Sequence, residues 1–259
     1  MKLAVDVGNT TIGLGFYQGD NIFKKIIINT DVDKLEDEYQ ASIDFLCRQK
    51  EIPFNEVDAI LFSSVVPVLN EPLKNALLSI FKSAKLYNLE SSKKYIDMDI
   101  DNPKDVGGDL VADLVGGKAK YGYPLLIIDL GTATKILLID KEGKFTSALI
   151  MPGLKVSSDS LFKKAALLPE VELSNPTNLL DSKNTIDCIK HGVIFGHVES
   201  IIGLARRYEE EVGYKLKKVI TGGASKIVYD LLPDEYILDQ NLTLDGELII
   251  LHQEMNKEE

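Results

Sequence analysis

The chain has 259 residues, 45% of them hydrophobic and 27% charged, with a formal net charge of −11. That length fits one large domain or two modest ones sharing a cleft, with enough apolar residues for a core. So acidic a chain lacks the basic face that a nucleic-acid backbone requires, which excludes general nucleic-acid binding and leaves small-molecule chemistry open.

Three short β-type runs come first, at residues 3–7, 11–17 and 22–28, separated by the turn signals Gly8-Asn9 and Gly19-Asp20. Residues 31–50 then read as a helix with Leu35, Tyr39, Ile43 and Leu46 on one face. A strand at 57–63 ends in Ser63-Ser64, a helix covers 69–81, and a further strand is expected at 85–89. The plan restarts near residue 125, with strands at 125–130, 135–140 and 145–150. Helices follow at 154–167 and about 184–211, then a strand at 218–221 that ends in Gly222-Gly223 and leads into another helix. Each half is a β-meander followed by alternating helix and strand, an order that gives mixed sheets covered by helices.

The halves also share residues. Val5-Asp6-Val7-Gly8-Asn9-Thr10-Thr11 aligns with Ile128-Asp129-Leu130-Gly131-Thr132-Ala133-Thr134, each at the end of a first strand and the turn into a second. One Asp-x-Gly-polar-x-Thr is an ordinary hairpin turn; two, each opening the same strand order, make an internal repeat. Gly8 and Gly131 let backbone N–H groups approach phosphate oxygens, and Asn9, Thr10, Thr11, Thr132 and Thr134 add neutral donors. Asp6 and Asp129 are placed to hold a hydrated cation beside phosphates. Two such hairpins across a cleft form a phosphate clamp, and the Walker pattern G-x-x-x-x-G-K-[ST] is absent.

This arrangement resembles the superfamily of actin, the Hsp70 chaperones, acetate kinase and the sugar kinases, and within it the type III pantothenate kinases. The ordered residues that carry the resemblance run from Asp6-Val7-Gly8-Asn9-Thr10 through Ser63-Ser64-Val65-Val66-Pro67, Asp101-Asn102-Pro103 and Val106-Gly107-Gly108-Asp109. They continue through Asp129 to Thr134, Pro152-Gly153, Asn184-Thr185, Thr221-Gly222-Gly223 and Leu242-Thr243-Leu244. The resemblance implies an α/β fold of duplicated ribonuclease-H-like lobes, residues 1–117 and 118–259, with an interlobe cleft. It implies ATP-dependent phosphorylation of pantothenate, the first step of coenzyme A synthesis, by a cytoplasmic homodimer. Asp109 matches the family's proton acceptor, and Asp6, Val7, Gly8, Asn9, Thr10, Thr11, Ile12, Gly13 and Thr132 match its nucleotide-binding hairpins. Gly107, Gly108, Asp109, Leu110 and Thr185 match substrate contacts, and Gly222-Gly223 would flank the adenine-side groove. Asp129 matches a ligand for the monovalent cation, potassium or ammonium, that this family uses, while Mg²⁺ accompanies ATP.

The pattern departs from the family on the acid-substrate side. Leu110 stands where the family carries Arg, Ile100 near its Tyr, Lys135 at a usual Thr, and Ser147-Ala148 at a Gly pair. A guanidinium pairs with a carboxylate and Leu110 does not. Three readings stay open: Lys135, Lys155 or another base replaces it, the substrate has changed, or the chain is a weakly active nucleotide-binding regulator. Asp109 and Asn184 also read as helix caps, Asp113 as a solvated first-turn carboxylate, and Gly192, Gly196 and Gly203 as close-packing sites. His191 and His197 read as helix-surface or interface residues, and the pairs Lys24-Lys25, Lys93-Lys94 and Lys217-Lys218 and the Glu258-Glu259 tail as solvated charge. Cys47 and Cys188 lack disulfide or zinc spacing, no apolar run approaches the roughly 18 residues of a membrane span, and no leader precedes the first strand. The cytoplasm is the expected location.

Overall fold

The computed structural model describes residues 1–89, 94–165 and 167–257. Lys93, Ala166 and the Glu258-Glu259 tail lie outside the described residues. The chain divides into two compact units: Met1–Asp97 with Asp101–Gly116 and Asn241–Glu259, and Met98–Ile100 with Gly117–Gln240. The last helix groups with the first unit.

The first unit holds strands β1 (Lys2–Val7), β2 (Thr11–Gln18), β3 (Asn21–Asn29), β4 (Ala59–Ser64) and β5 (Lys85–Asn88) in one sheet of order β3-β2-β1-β4-β5. β1 is antiparallel to β2 and parallel to β4. Successive strand residues face opposite ways, so Leu3, Val5 and Val7 join the core under α1 (Glu36–Gln49) and α2 (Asn70–Ile80). Ala4 faces the other side, where Leu244 and Leu248 of α7 (Leu242–Met255) cover it. Asp6, two residues on, shares that face.

α1 begins five residues later than its apolar spacing predicts, because the Tyr39 hydroxyl bonds both the N–H and the C=O of Asp31 and holds the approach as a turn. Leu35 is therefore exposed ahead of the helix, and Tyr39, Ile43 and Cys47 form its buried stripe.

The second unit repeats the plan. β6 (Leu125–Leu130), β7 (Ala133–Ile139), β8 (Phe145–Pro152), β9 (Lys217–Thr221) and β10 (Tyr236–Leu238) form a sheet of order β10-β9-β6-β7-β8, the same order as the first. Leu126, Ile128 and Leu130 pack with Ile194, Val198 and Ile201 of the long helix α5 (Thr185–Val212). α4 (Leu154–Lys164) and the one-turn helix α6 (Ser225–Val228) complete the unit's helices. α5 is pinned to β9 by Lys218, whose ammonium bonds Glu209 at 2.7 Å and Glu235 at 2.8 Å. Burial works against the Glu209 charge, yet Lys215, Lys218 and the Leu216 N–H hold its pKa down at about 2.

α7 and β10 escape a periodicity reading for a physical reason. β10 has three residues, and α7 is buried on most of its circumference, so no polar stripe marks it. Asn184 is the N-cap of α5, its side chain accepting from the Asp187 N–H at 3.0 Å, as expected. His191 and His197 are not on the surface; both are buried, because they continue the Ile194–Val198–Ile201 face. The His197 ring meets the Thr134 hydroxyl at 2.8 Å, and burial lowers its pKa, so a neutral imidazole ties β7 to α5. Gly192, Gly196 and Gly203 are not close-packing sites within the chain, since a Cβ on any of them would meet nothing within 4 Å.

α7 packs tightly on α3 (Gly108–Tyr121). A Cβ on Gly116 would lie 2.7 Å from the Leu242 carbonyl oxygen, and one on Gly246 would collide with that of Ala112. Gly246→Ala is therefore expected to destabilise the protein by about 1–3 kcal/mol or more, read as a lowered thermal midpoint. An unchanged midpoint would contradict the close approach.

Candidate active site

Both strand-end hairpins have the expected form. In the first unit the Gly8 N–H bonds the Thr11 carbonyl at 3.0 Å, and Asn9, Thr10 and Thr11 are exposed at the tip. Thr30 backs the turn, its N–H on the Thr10 carbonyl at 2.9 Å and its hydroxyl on that of Gly8 at 2.6 Å. In the second unit the Gly131 N–H bonds the Ala133 carbonyl at 3.2 Å and Thr132 is exposed. Gly153 backs this turn, its N–H on the Thr132 carbonyl at 3.1 Å. The carbonyls of Gly131 and Thr132 occupy the space that a Cβ on Gly153 would need.

The neighbouring parallel strands close on the hairpins in the same way. The Val65 N–H reaches the Val7 carbonyl and the Ala224 N–H the Leu130 carbonyl, each at 3.0 Å. Gly222, at φ +89, passes so close to Asp129 and the Leu130 backbone that no side chain fits there.

The second turn is one residue shorter than the first. Val7 pairs with Ile12, whereas Leu130 pairs with Thr134. Thr134 thus aligns structurally with Ile12, and both are buried, so Thr134 is not a donor at the tip. The side chains of Val7 and Ile12 are likewise buried in the core, leaving only their main chain for a nucleotide. Gly13 faces Leu244 of α7, whose Cδ2 would lie 3.8 Å from an added Cβ.

The same register decides what stands opposite each strand-end carboxylate. Asp6 pairs with Gly13, whereas Asp129 pairs with Lys135. The Lys135 ammonium donates to Asp129 Oδ2 at 2.9 Å, within the range of charge-assisted hydrogen bonds. A second unit charge placed ~4 Å from that ammonium would be repelled by about 4 kcal/mol at an effective dielectric of 20. Lys135 is thus engaged at Asp129, and Lys155, the other base considered as a stand-in for the missing Arg, is mostly exposed and 3.6 Å from Asp159.

Asp109 lies in the first turn of α3 rather than at its cap, since the helix begins at Gly108. The N–H of Leu110 bonds Asp109 Oδ1 at 2.9 Å. A Cβ on Gly108 would stand 2.7 Å from Ser63 Oγ, so the glycine lets this turn sit against the end of β4. Asp113, one turn on, is buried rather than solvated and accepts the Thr243 hydroxyl at 2.6 Å. Gly107 and Leu110 are half-buried beside Asp109. Thr185 belongs to the second unit, exposed at the start of α5, where Leu161, Ser182, Lys183, Asn184 and Cys188 help line a cavity of ≈ 660 Å³.

Sequence reasoning missed Glu247. It is fully buried on α7, and among the described residues neither of its carboxyl oxygens, nor Ser63 Oγ, has a partner at hydrogen-bond geometry. Burial, then the charges of Asp6, Asp113 and Asp109, push its pKa well above 4.5, against the opposing influence of the Ser63 hydroxyl. A Glu directly before the apolar run Leu248 to Leu251 was the available signal. Because the folded-state pKa is raised, the neutral carboxyl is fully tolerated below about pH 4.5, and stability falls as pH rises towards the folded value. Glu247→Leu is expected to stabilise the protein at neutral pH by about 1–3 kcal/mol, with the gain shrinking towards pH 4.5. Denaturant unfolding at several pH values reads this, and a variant less stable than the parent at pH 7 would contradict it.

The family model described as type III pantothenate kinase matches residues 2–207. A type III pantothenate kinase of an Exiguobacterium species is 35% identical over 250 residues, covering 96% of this chain and 98% of that protein. Among solved structures, the Acidaminococcus fermentans (R)-2-hydroxyglutaryl-CoA dehydratase component A superposes with a TM-score of 0.56 at 15% identity, covering 98% of both chains. An archaeal actin homolog does so at 0.51 and 11% identity, over 97% of this chain and 99% of that one. These two likenesses show an actin-like fold. No helix among the described residues is long and apolar enough to cross a membrane.

Proposed function

The chain belongs to the type III pantothenate kinase family, and we propose that its own Asp109 accepts the proton in the ATP-dependent phosphorylation of pantothenate that begins coenzyme A biosynthesis. The observation that supports this role is the placement of Asp109. Its carboxylate is half-buried in the first turn of α3, aimed by the Leu110 N–H and set against Ser63 by Gly108. As the primary hydroxyl of pantothenate attacks the γ-phosphorus, its proton passes to the Asp109 carboxylate and the β–γ bridging oxygen leaves with ADP. A carboxylate suits a loose transition state, which asks for aim and modest basicity more than for a strong base.

Residues 6–13 and Thr132 take the nucleotide, chiefly through main-chain N–H groups and the hydroxyls of Thr10, Thr11 and Thr132. Magnesium arriving with ATP supplies positive charge at the phosphates, and Asp6, a half-buried carboxylate at its strand end, fits a hydrated cation there. Asp129 does not fit a free monovalent ion in the same way, because the Lys135 ammonium is already bonded to it. Gly107, Gly108, Leu110 and Thr185 are the substrate-side residues. Leu110 gives the pantothenate carboxylate no ionic partner, and with Ile100 it favours an altered hydroxyl substrate as a second reading.

The reading includes a cytoplasmic homodimer. The second unit exposes Leu161, Phe162, Leu167, Leu180 and Ile186, apolar surface of the kind a second copy covers.

Asp109→Asn is expected to keep the fold and ATP affinity while lowering kcat by about 10²–10⁴-fold. Thermal unfolding, nucleotide titration and steady-state kinetics measure the three quantities. Undiminished turnover would remove Asp109 from the mechanism.

A further inference from the structure

The carboxylate that the family resemblance assigns to a potassium or ammonium ion already holds an ammonium. Asp129 ends β6 and Lys135 lies directly across from it on β7. Leu126, Ile128 and Leu130 face the α5 core, as do Ile136 and Leu138, so Asp129 and Lys135 share the opposite face of the sheet. Their side chains are 12% and 17% exposed, and the ammonium sits 2.9 Å from Oδ2. The backbone at Gly222 passes close to the same carboxylate, so that a Cβ there would collide with Asp129 Oδ1. In the first hairpin the position opposite the strand-end aspartate is Gly13, which carries no charge.

We propose that Lys135 is a built-in replacement for the monovalent cation at Asp129, so that nucleotide binding and turnover require neither potassium nor ammonium. A lysine head group is an ammonium ion on a four-carbon tether, with the charge and N–H donors of the free ion. Strand register fixes the tether opposite its carboxylate, so its effective concentration does not depend on the salt in solution. The shorter second turn is what brings Lys135 into this register, since a turn of the first hairpin's length would place position 135 opposite Leu130. An ordinary cross-strand ion pair would strengthen the sheet by a similar contact, and only cation dependence separates the two roles.

The turnover arm rests on the pantothenate kinase reading; the binding arm does not. The full-length protein and Lys135→Thr are compared in the nitrate salts of potassium, sodium and tetramethylammonium at one ionic strength. Thallous ion is the potassium probe in thallium NMR, alongside the thermal midpoint and the rate of ADP formation with pantothenate. The parent protein is expected to show no saturable thallous-ion site and rates equal within about twofold in all three salts. Lys135→Thr, which empties the position beside Asp129, is expected to gain a saturable thallous-ion site and a thermal midpoint raised by potassium. Its rate should be at least about tenfold higher in potassium than in tetramethylammonium. A saturable thallous-ion site in the parent, or potassium activation of the parent, overturns the proposal, as does a folded Lys135→Thr that gains neither binding nor dependence. If Lys135→Thr does not fold, the parent's thallous-ion titration still decides. A parent that turns over in no salt refutes the kinase reading, while the binding measurements continue to test Lys135.

Discussion

A carboxylate buried at the end of a central β-strand needs either a counter-charge or a proton, because its desolvation is otherwise prohibitive. Both units place an aspartate there, and the rest of each site follows from how that charge is answered. In the second unit the answer is a cation from the adjacent strand, Lys135, set opposite Asp129 by hairpin register. In the first unit the strand neighbours of Asp6 are the uncharged Gly13 and Ser63, and the charges of Asp6, Asp113 and Asp109 bear on Glu247. Burial and those charges push the Glu247 pKa well above 4.5, which favours its neutral form.

This asymmetry between repeated halves has a functional logic. A site that retains net negative charge attracts the cations that accompany ATP. Conversely, a site whose aspartate is internally paired presents phosphate oxygens with a positive group and backbone donors. The close backbone approaches at Gly108, Gly153 and Gly222 make both arrangements possible, since a side chain at any of them would push a turn or helix away from its carboxylate or hairpin. The two hairpins therefore share a shape while differing in charge.

Much of this was legible in the sequence. The duplicated Asp-x-Gly motif located both hairpins, and the repeated strand order matches the two sheets in every strand but β10. The aligned threonines were misleading: Thr11 and Thr134 coincide in sequence but not in space, because one turn is a residue shorter, and a pattern cannot register a deletion inside a turn. Lys135 was visible as a departure, yet its partner was not, since cross-strand pairing depends on that same register. α7 stayed hidden because a helix buried nearly all round has no amphipathic period, and with it went Glu247 and the return of the chain to the first unit. The buried histidines failed for a related reason: composition marks histidine as a surface residue, whereas Ser182 and Thr134 satisfy these two in the interior.

Membership of the type III pantothenate kinase family assigns to this chain the transfer of the γ-phosphoryl group of ATP to the primary hydroxyl of pantothenate. Mass spectrometry of a reaction containing purified protein, ATP, magnesium and pantothenate reads that transfer. 4′-Phosphopantothenate is expected to accumulate in step with ADP, with none formed without protein or ATP. Unchanged pantothenate from a folded protein that binds ATP would contradict it, and would turn attention to the substrate-side change at Leu110.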